Sequence, residues 1–287
     1  MILIAESGST KCDWVLLDTL NDKKLNTKTK GLNPAILKKK ELKSIISDND
    51  ILLKYKKDIK KVYFFGAGCN TSKTKNNVHS VLNSFFENAI SVVEEDTMAA
   101  VYATTSKPAV VCILGTGSNC CYYDGKSIIN KSTSLGYIVM DEGSGNHFGK
   151  ELLKSYYNKQ MPKELRTLFE NNYDLSGKTV IKKLYQSKTP NKYLASFAPF
   201  VFENKEHSFI ETLINNVINL FIKNHILQYT DELKTVPLHF VGSIAFYGQE
   251  YISNQLKKQG LNAGKFIQKP IDGLIEFIKK ENAITQY

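Results

Sequence analysis

The chain of 287 residues is 42% hydrophobic and 23% charged, which excludes a disordered polymer and leaves enough apolar material for two cores. No stretch approaches the roughly 18 to 20 apolar residues of a membrane span, and Met1 leads straight into an apolar run, so no membrane partner and a cytoplasmic location are expected. The net charge of +10 comes from scattered lysines, with Arg166 the only arginine, and no basic recognition motif accompanies it, which argues against nucleic acid.

The opening segment predicts two strands, over 2–5 and 14–17, around a turn at Gly8. Such a turn serves either as a plain hairpin or as a phosphate cradle. In a cradle, glycine admits backbone N–H groups to an anion, Ser7, Ser9 and Thr10 add hydroxyls, and Lys11 adds charge. Residues 18–24 read as a turn cluster. Residues 28–36 begin as a strand and break at Gly31 and Pro34, and 37–59 read as helical with a polar interruption at 47–50. A buried-type strand over 62–65 ends on Gly66, Ala67 and Gly68, an amphipathic helix is expected over 78–88, and a short strand over 90–93 runs into Glu94, Glu95 and Asp96. The segment after Asp96 reads as a helix.

The pattern then restarts. An apolar run over 109–114 meets a small-residue turn of Gly115, Thr116, Gly117 and Ser118, a strand follows over 119–123, and Asp124–Gly125 is a hairpin turn. Helical stretches over 149–153, 162–171, 179–185, 193–202 and 208–229 lead to a strand that ends on Gly242 and Ser243, as the earlier one ended on Gly66. Two hairpins of this kind, facing each other across a cleft, would grip a phosphate chain from both sides. Cys12, Cys69, Cys112, Cys120 and Cys121 lack metal-site or disulfide-framework spacing and read as buried free thiols.

ILGTGSNC (113–120) followed by GYIVMDEGSGNHFG (136–149) resembles the second phosphate loop and the Asp-Glu-Gly-Ser segment of N-acetylglucosamine kinases and BadF/BadG-type ATPases. These belong to the sugar-kinase branch of the actin/hexokinase/Hsp70 superfamily, and the resemblance spans nearly the whole chain. It implies an α/β, two-domain actin-like ATPase (ribonuclease H-like) fold of duplicated mixed sheets flanked by helices, with a central cleft. The implied domains are 1–106, joined by the C-terminal helix 272–287, and 107–271.

By that resemblance Gly8, Ser9, Thr10 and Lys11 form the first phosphate loop, and Gly115, Thr116, Gly117 and Ser118 form the second. Gly242 and Ser243 meet the nucleoside. Asp96 takes the proton of the acceptor hydroxyl, Asn33 in GLNP reaches the sugar, and Asn119 and Asp141 lie near sugar or metal. Glu6, where much of the superfamily has Asp, and Asp141 are the candidates for Mg²⁺. The expected ligands are ATP, Mg²⁺ and an amino sugar, foremost N-acetylglucosamine at its 6-hydroxyl, with self-association into a homodimer left open.

The residues taken alone leave other roles open: an N-cap for Asp96, an Asn-Pro turn for Asn33, a solvated lysine for Lys11, and a helix cap for Asp141, Glu142 and Ser144. Among acceptors, N-acetylmuramic acid and glucosamine stay open; among functions, so do an ATPase activator and a silent sugar sensor. The activators carry cysteines for an iron–sulfur cluster in a Cys-Ala motif, which this sequence lacks. Gly117 is expected to need both backbone approach to phosphate and a positive φ.

Overall fold

In the computed structural model, residues 1–8, 11–18, 21 and 23–284 are described. The chain divides into two compact units, Met1–Ala103 with Pro270–Tyr287, and Thr104–Lys269.

The first unit runs β1 (Ile2–Ser7), β2 (Lys11–Asp18), β3 (Lys23–Lys30), α1 (Lys39–Ser47), α2 (Asp50–Tyr55), β4 (Lys61–Gly66), α3 (Ser72–Phe85), β5 (Ile90–Glu95) and α4 (Asp96–Thr104). Its sheet has the order β3-β2-β1-β4-β5. The first three strands form an antiparallel meander and β1, β4 and β5 are parallel. One face carries Leu3, Ala5, Trp14, Leu16, Val62, Phe64 and Val93 into a core shared with Leu42, Leu52, Val78 and Leu82.

Strands take up both ends of the turn expected over 18–24, since Asp18 already pairs with Lys23, and residues 19, 20 and 22 lie outside the described residues. The lysine-rich sequence of β3 hides an edge strand that needs a partner on one side only. Asn49 caps α2 by accepting the N–H of Leu52, which turns the expected interruption into a helix start. A capping box between Thr71 and Thr74 starts α3 at Ser72, earlier than the apolar periodicity alone indicates.

The second unit runs β6 (Ala109–Leu114), β7 (Ser118–Tyr123), β8 (Ile128–Ile129), α5 (Gly145–Tyr157), α6 (Lys163–Asn172), α7 (Gly177–Tyr185), α8 (Pro190–Ala195), α9 (Ala198–Glu203), α10 (Ser208–Asn224), β9 (Leu238–Val241), α11 (Ser243–Tyr247), α12 (Gln249–Lys257) and β10 (Ala263–Ile267). Its sheet, read β8-β7-β6-β9-β10, repeats the first: a three-stranded meander, then two strands parallel to its first member. The helices are where the units differ. Phe148, Phe169, Phe197, Phe200 and Phe221 build a large aromatic core around α10.

The helix expected over 193–202 is two helices, broken at Ser196 and Phe197, and the one expected over 208–229 ends at Asn224 with His225 as its C-cap. All five cysteines are buried free thiols. The last helix, α13 (Pro270–Ile284), returns to the first unit and packs on β1.

Candidate active site

Parallel strands gather their C-terminal ends on one edge of a sheet, where ligands of α/β proteins bind. In the first unit that edge is acidic. Glu6, Phe65 and Glu94 lie in one row across β1, β4 and β5, and Asp13 on β2 stands opposite Glu6. Burial first, then the charges of Asp13 and Asp96, push the Glu6 carboxyl up to about 7 despite the opposing charge of Lys11. Burial also raises Asp96, although N–H groups of Thr97 and of Asp96 itself draw it back. Glu95 is raised as well, by burial and by Asp96. Lys75, from the first turns of α3, forms an ion pair with Glu94.

Asp96 is the first residue of α4, and its carboxyl meets backbone N–H groups at the start of that helix in the middle of this cluster. Asn33 is also at this edge. Its Oδ1 accepts the N–H of Ala35, an Asx turn, and a Cβ on Gly68 would fall 2.1 Å from that oxygen. Ser7 fixes the same loop by accepting the N–H of Leu32 through its Oγ at 2.8 Å. Lys11 extends into solvent and bonds Asp13 at 2.7 Å, the surface pairing open to a strand lysine. Gly8 lies between β1 and β2; Ser9 and Thr10 lie outside the described residues.

The second unit offers a built loop. Residues 115–117 join β6 to β7, and the turn 141–146 is laced into them from below. The N–H groups of Gly145 and Asn146 donate to the carbonyls of Gly115 and Thr116 at 2.8 and 3.1 Å. Asp141 Oδ1 accepts the N–H of Ser118 at 3.2 Å, while Oδ2 accepts Asn146 Nδ2 at 2.8 Å; that same amide nitrogen also donates to the Thr116 carbonyl. Ser118 Oγ donates to the Glu142 carbonyl at 2.6 Å. Ser144 caps α5 by accepting the N–H of His147. His147 accepts the N–H of Gly143 through Nδ1, and burial holds its ring below the ordinary histidine range.

Gly117 does not have the expected positive φ. What excludes a side chain is Asp141, whose Oδ2 would lie 2.8 Å from an added Cβ. Gly242 does require the left-handed region, at φ 113°, and its backbone lies so close to β6 that a Cβ would fall 2.3 Å from the Leu114 carbonyl. That approach brings Ser243 beside the loop, where a cleft of about 490 Å³ is lined by Gly115, Thr116, Ala198, Phe202, Ser243 and Tyr247. Its apolar wall, with Phe202 and Tyr247 at 6.1 Å, has the size and character of a site for a planar base. Asn119 turns its Oδ1 to its own neighbour, the N–H of Cys120.

The sequence reading missed Asn146, the aromatic wall and the pair formed by Glu142 and His225, whose side chains meet at 2.8 Å. Asn146 follows the quoted DEGSG directly; the Glu142–His225 pairing spans 83 positions, beyond any local pattern.

No family model matches the chain, and no curated protein sequence does. A solved structure from Porphyromonas gingivalis, a candidate N-acetylglucosamine kinase, is 35% identical with a TM-score of 0.88, over 96% of this chain and 98% of that one. The chain belongs to the N-acetylglucosamine kinase-like sugar kinases. A candidate N-acetylglucosamine kinase of Chromobacterium violaceum (12% identity, TM-score 0.67, 96% and 98% covered) has the same fold. So does a ROK family glucokinase of Streptomyces griseus solved with glucose and AMPPNP (12%, 0.57, 96% and 97%). The two mixed sheets are therefore those of the actin-like ATPase fold, and the chain is an ATP-dependent sugar kinase.

Proposed function

We propose that this kinase transfers the γ-phosphoryl group of ATP to the 6-hydroxyl of N-acetylglucosamine. The observation that carries the reading is the second phosphate loop, residues 115–118, interlocked with Asp141 and Asn146 beside the aromatic cleft. Phosphoryl transfer depends on positioning and on neutralising charge, and a loop held by six or so hydrogen bonds supplies positioning. In this reading Gly115, Thr116, Gly117 and Ser118 meet the phosphates, Gly242 and Ser243 meet the nucleoside, and Gly8, Ser9, Thr10 and Lys11 complete the phosphate contacts.

Asp96 orients the acceptor hydroxyl and takes its proton, a role suited to a carboxyl that burial makes more basic. Asn33, Asn119 and Asp141 serve the sugar side. Among the described residues no group of three acids, histidines or cysteines is placed to hold a metal. Mg²⁺ suits that, since it keeps several waters and binds chiefly through phosphates and one or two carboxylates. Glu6, crowded by Asp13 and Asp96, gains from a cation, and Asp141 would act through water. When bound, the ion neutralises phosphate charge. The proposed domains are 1–106 with 272–287, and 107–271, and a cytoplasmic location goes with the reading.

The test is ADP release measured over N-acetylglucosamine, N-acetylmuramic acid and glucosamine, with and without Mg²⁺, and NMR of the phosphorylated product. Sugar-dependent turnover with phosphate on O6 of N-acetylglucosamine is expected. ADP released equally fast without sugar would favour the ATPase activator instead, and sugar binding without turnover would favour the sensor.

A further inference from the structure

We infer that Glu142 and His225 are positioning residues for ATP, a half-buried latch that fixes the second phosphate loop from behind. The inference rests on the reading of residues 115–118 as a phosphate loop. Glu142 has two attachments. Its backbone carbonyl accepts Ser118 Oγ at 2.6 Å, at the end of that loop. Its carboxylate is held at the C-terminal end of α10, where Oε2 accepts His225 Nε2 at 2.8 Å and Oε1 accepts Asn224 Nδ2 at 3.2 Å.

His225 is itself held. Its side chain is 8% exposed, and its ring stacks on Phe221 with centroids 5.1 Å apart. Gly143, the next residue of the turn, lies on Phe221 so closely that a Cβ would stand 2.8 Å from the phenylalanine Cβ. The turn is therefore clamped to α10 at two successive residues. Between clamp and loop sits Asp141, at φ 68°, a left-handed backbone that costs most non-glycine residues energy and that Asp adopts more readily than they do.

A carboxylate drawn partly out of water to meet a histidine is seldom the cheapest way to stabilise a core, and apolar residues of similar volume often replace such a polar pair without loss. α10 already buries Ile210, Ile214, Val217, Ile218 and Phe221 without any help from Glu142. What the pair adds is direction: it sets where the turn stands, and through Ser118, Asp141 and Asn146 it sets where the loop N–H groups point.

The experiment titrates wild type, Glu142→Ala, Glu142→Gln and the double variant Glu142→Leu/His225→Phe with Mg·ATP and, separately, with N-acetylglucosamine, and records a thermal melt of each. Glu142→Ala is expected to weaken Mg·ATP about tenfold or more, the worth of a lost charge-assisted hydrogen bond, while sugar affinity stays within about twofold. Glu142→Gln, which still accepts from His225, restores ATP affinity to within about threefold of wild type. The double variant keeps the apolar volume and the melting temperature but not the ATP affinity, so the proposal can be judged even where Glu142→Ala fails to fold.

ATP affinity within twofold of wild type in the folded double variant overturns the inference. So does a parallel fall in ATP affinity, sugar affinity and melting temperature, which is the mark of general damage. Gly117→Ala separates the two readings. If it loses ATP while the latch variants keep it, only the latch fails; if it too keeps ATP, the phosphate-loop reading has failed first.

Discussion

Replacing Gly117 by alanine tests the phosphate loop with one methyl group. The backbone there tolerates alanine, since its φ is not left-handed, so the effect is steric and local. The new Cβ would stand 2.8 Å from Asp141 Oδ2 and 3.1 Å from Oδ1 and Cγ, whereas ordinary contact begins at 3.4 Å. The carboxylate must therefore retreat by about 0.6 Å from a position at which its Oδ2 accepts Asn146 and its Oδ1 accepts Ser118. The Ser118 bond, already 3.2 Å, is the one that breaks. Hydrogen bonds to a charged group contribute roughly 1.5 to 3 kcal/mol, so the expected loss of ATP affinity is about 10- to 100-fold, at a stability cost of about 1 to 3 kcal/mol. Calorimetry with a nonhydrolysable ATP analogue, and with N-acetylglucosamine alone, reads both ligands, and a thermal melt reads the fold. A folded Gly117→Ala protein that binds the analogue within twofold of wild type would refute the reasoning.

Asp96→Asn should cut turnover by at least about a hundredfold, the typical worth of a positioned base, with both ligands still bound. The same variant carries a pH signature. Because burial raises the folded-state pKa, the native protein holds this proton where the unfolded chain has released it, so wild-type stability falls as pH rises through that window. Asp96→Asn is then the more stable protein at neutral pH, and the difference vanishes in acid below about pH 4; melts across pH check it, and the acid limb of wild-type kcat should lie above the ordinary aspartate range. Gly149→Ala puts a Cβ 1.9 Å from the Leu194 carbonyl and must push α8 off α5, costing on the order of 2 to 4 kcal/mol in urea unfolding.

The duplicated meander and crossover strands were legible because buried strands rich in Val, Ile and Phe announce themselves locally, as 62–65 and 109–114 do. The edge strand β3 was not fully legible, since a strand half in solvent carries no apolar signal at Lys23 and Lys24. The start of α3 was misplaced because a cap decided it, Thr71 setting the helix before the periodic residues begin, whereas Ser144, which caps α5, was among the cap candidates read from the sequence. In the site, the glycine loop and the DEGS turn could be named from the sequence. The bonds between them could not, because Asp141 reaches Ser118 across 23 positions and Glu142 reaches His225 across 83. Gly117 shows the difference in kind: its identity was readable and its reason was not, since the reason is a carboxylate delivered by another segment.

The first unit is closed by a helix from the far end of the chain. β1 to α4 are made first, yet Ile271, Leu274, Ile275 and Ile278 of α13 arrive only after the whole of Thr104–Lys269 has been synthesised. At ribosomal rates of about 5 to 20 residues per second, the N-terminal sheet waits roughly ten to thirty seconds with the face meant for α13 uncovered. The second unit gains little from that wait, because its β9 and β10 are made only at the end of it, β10 finishing at Ile267 just before α13 begins at Pro270. The two halves are thus completed almost together, although the strands of the first are made long before the last strands of the second.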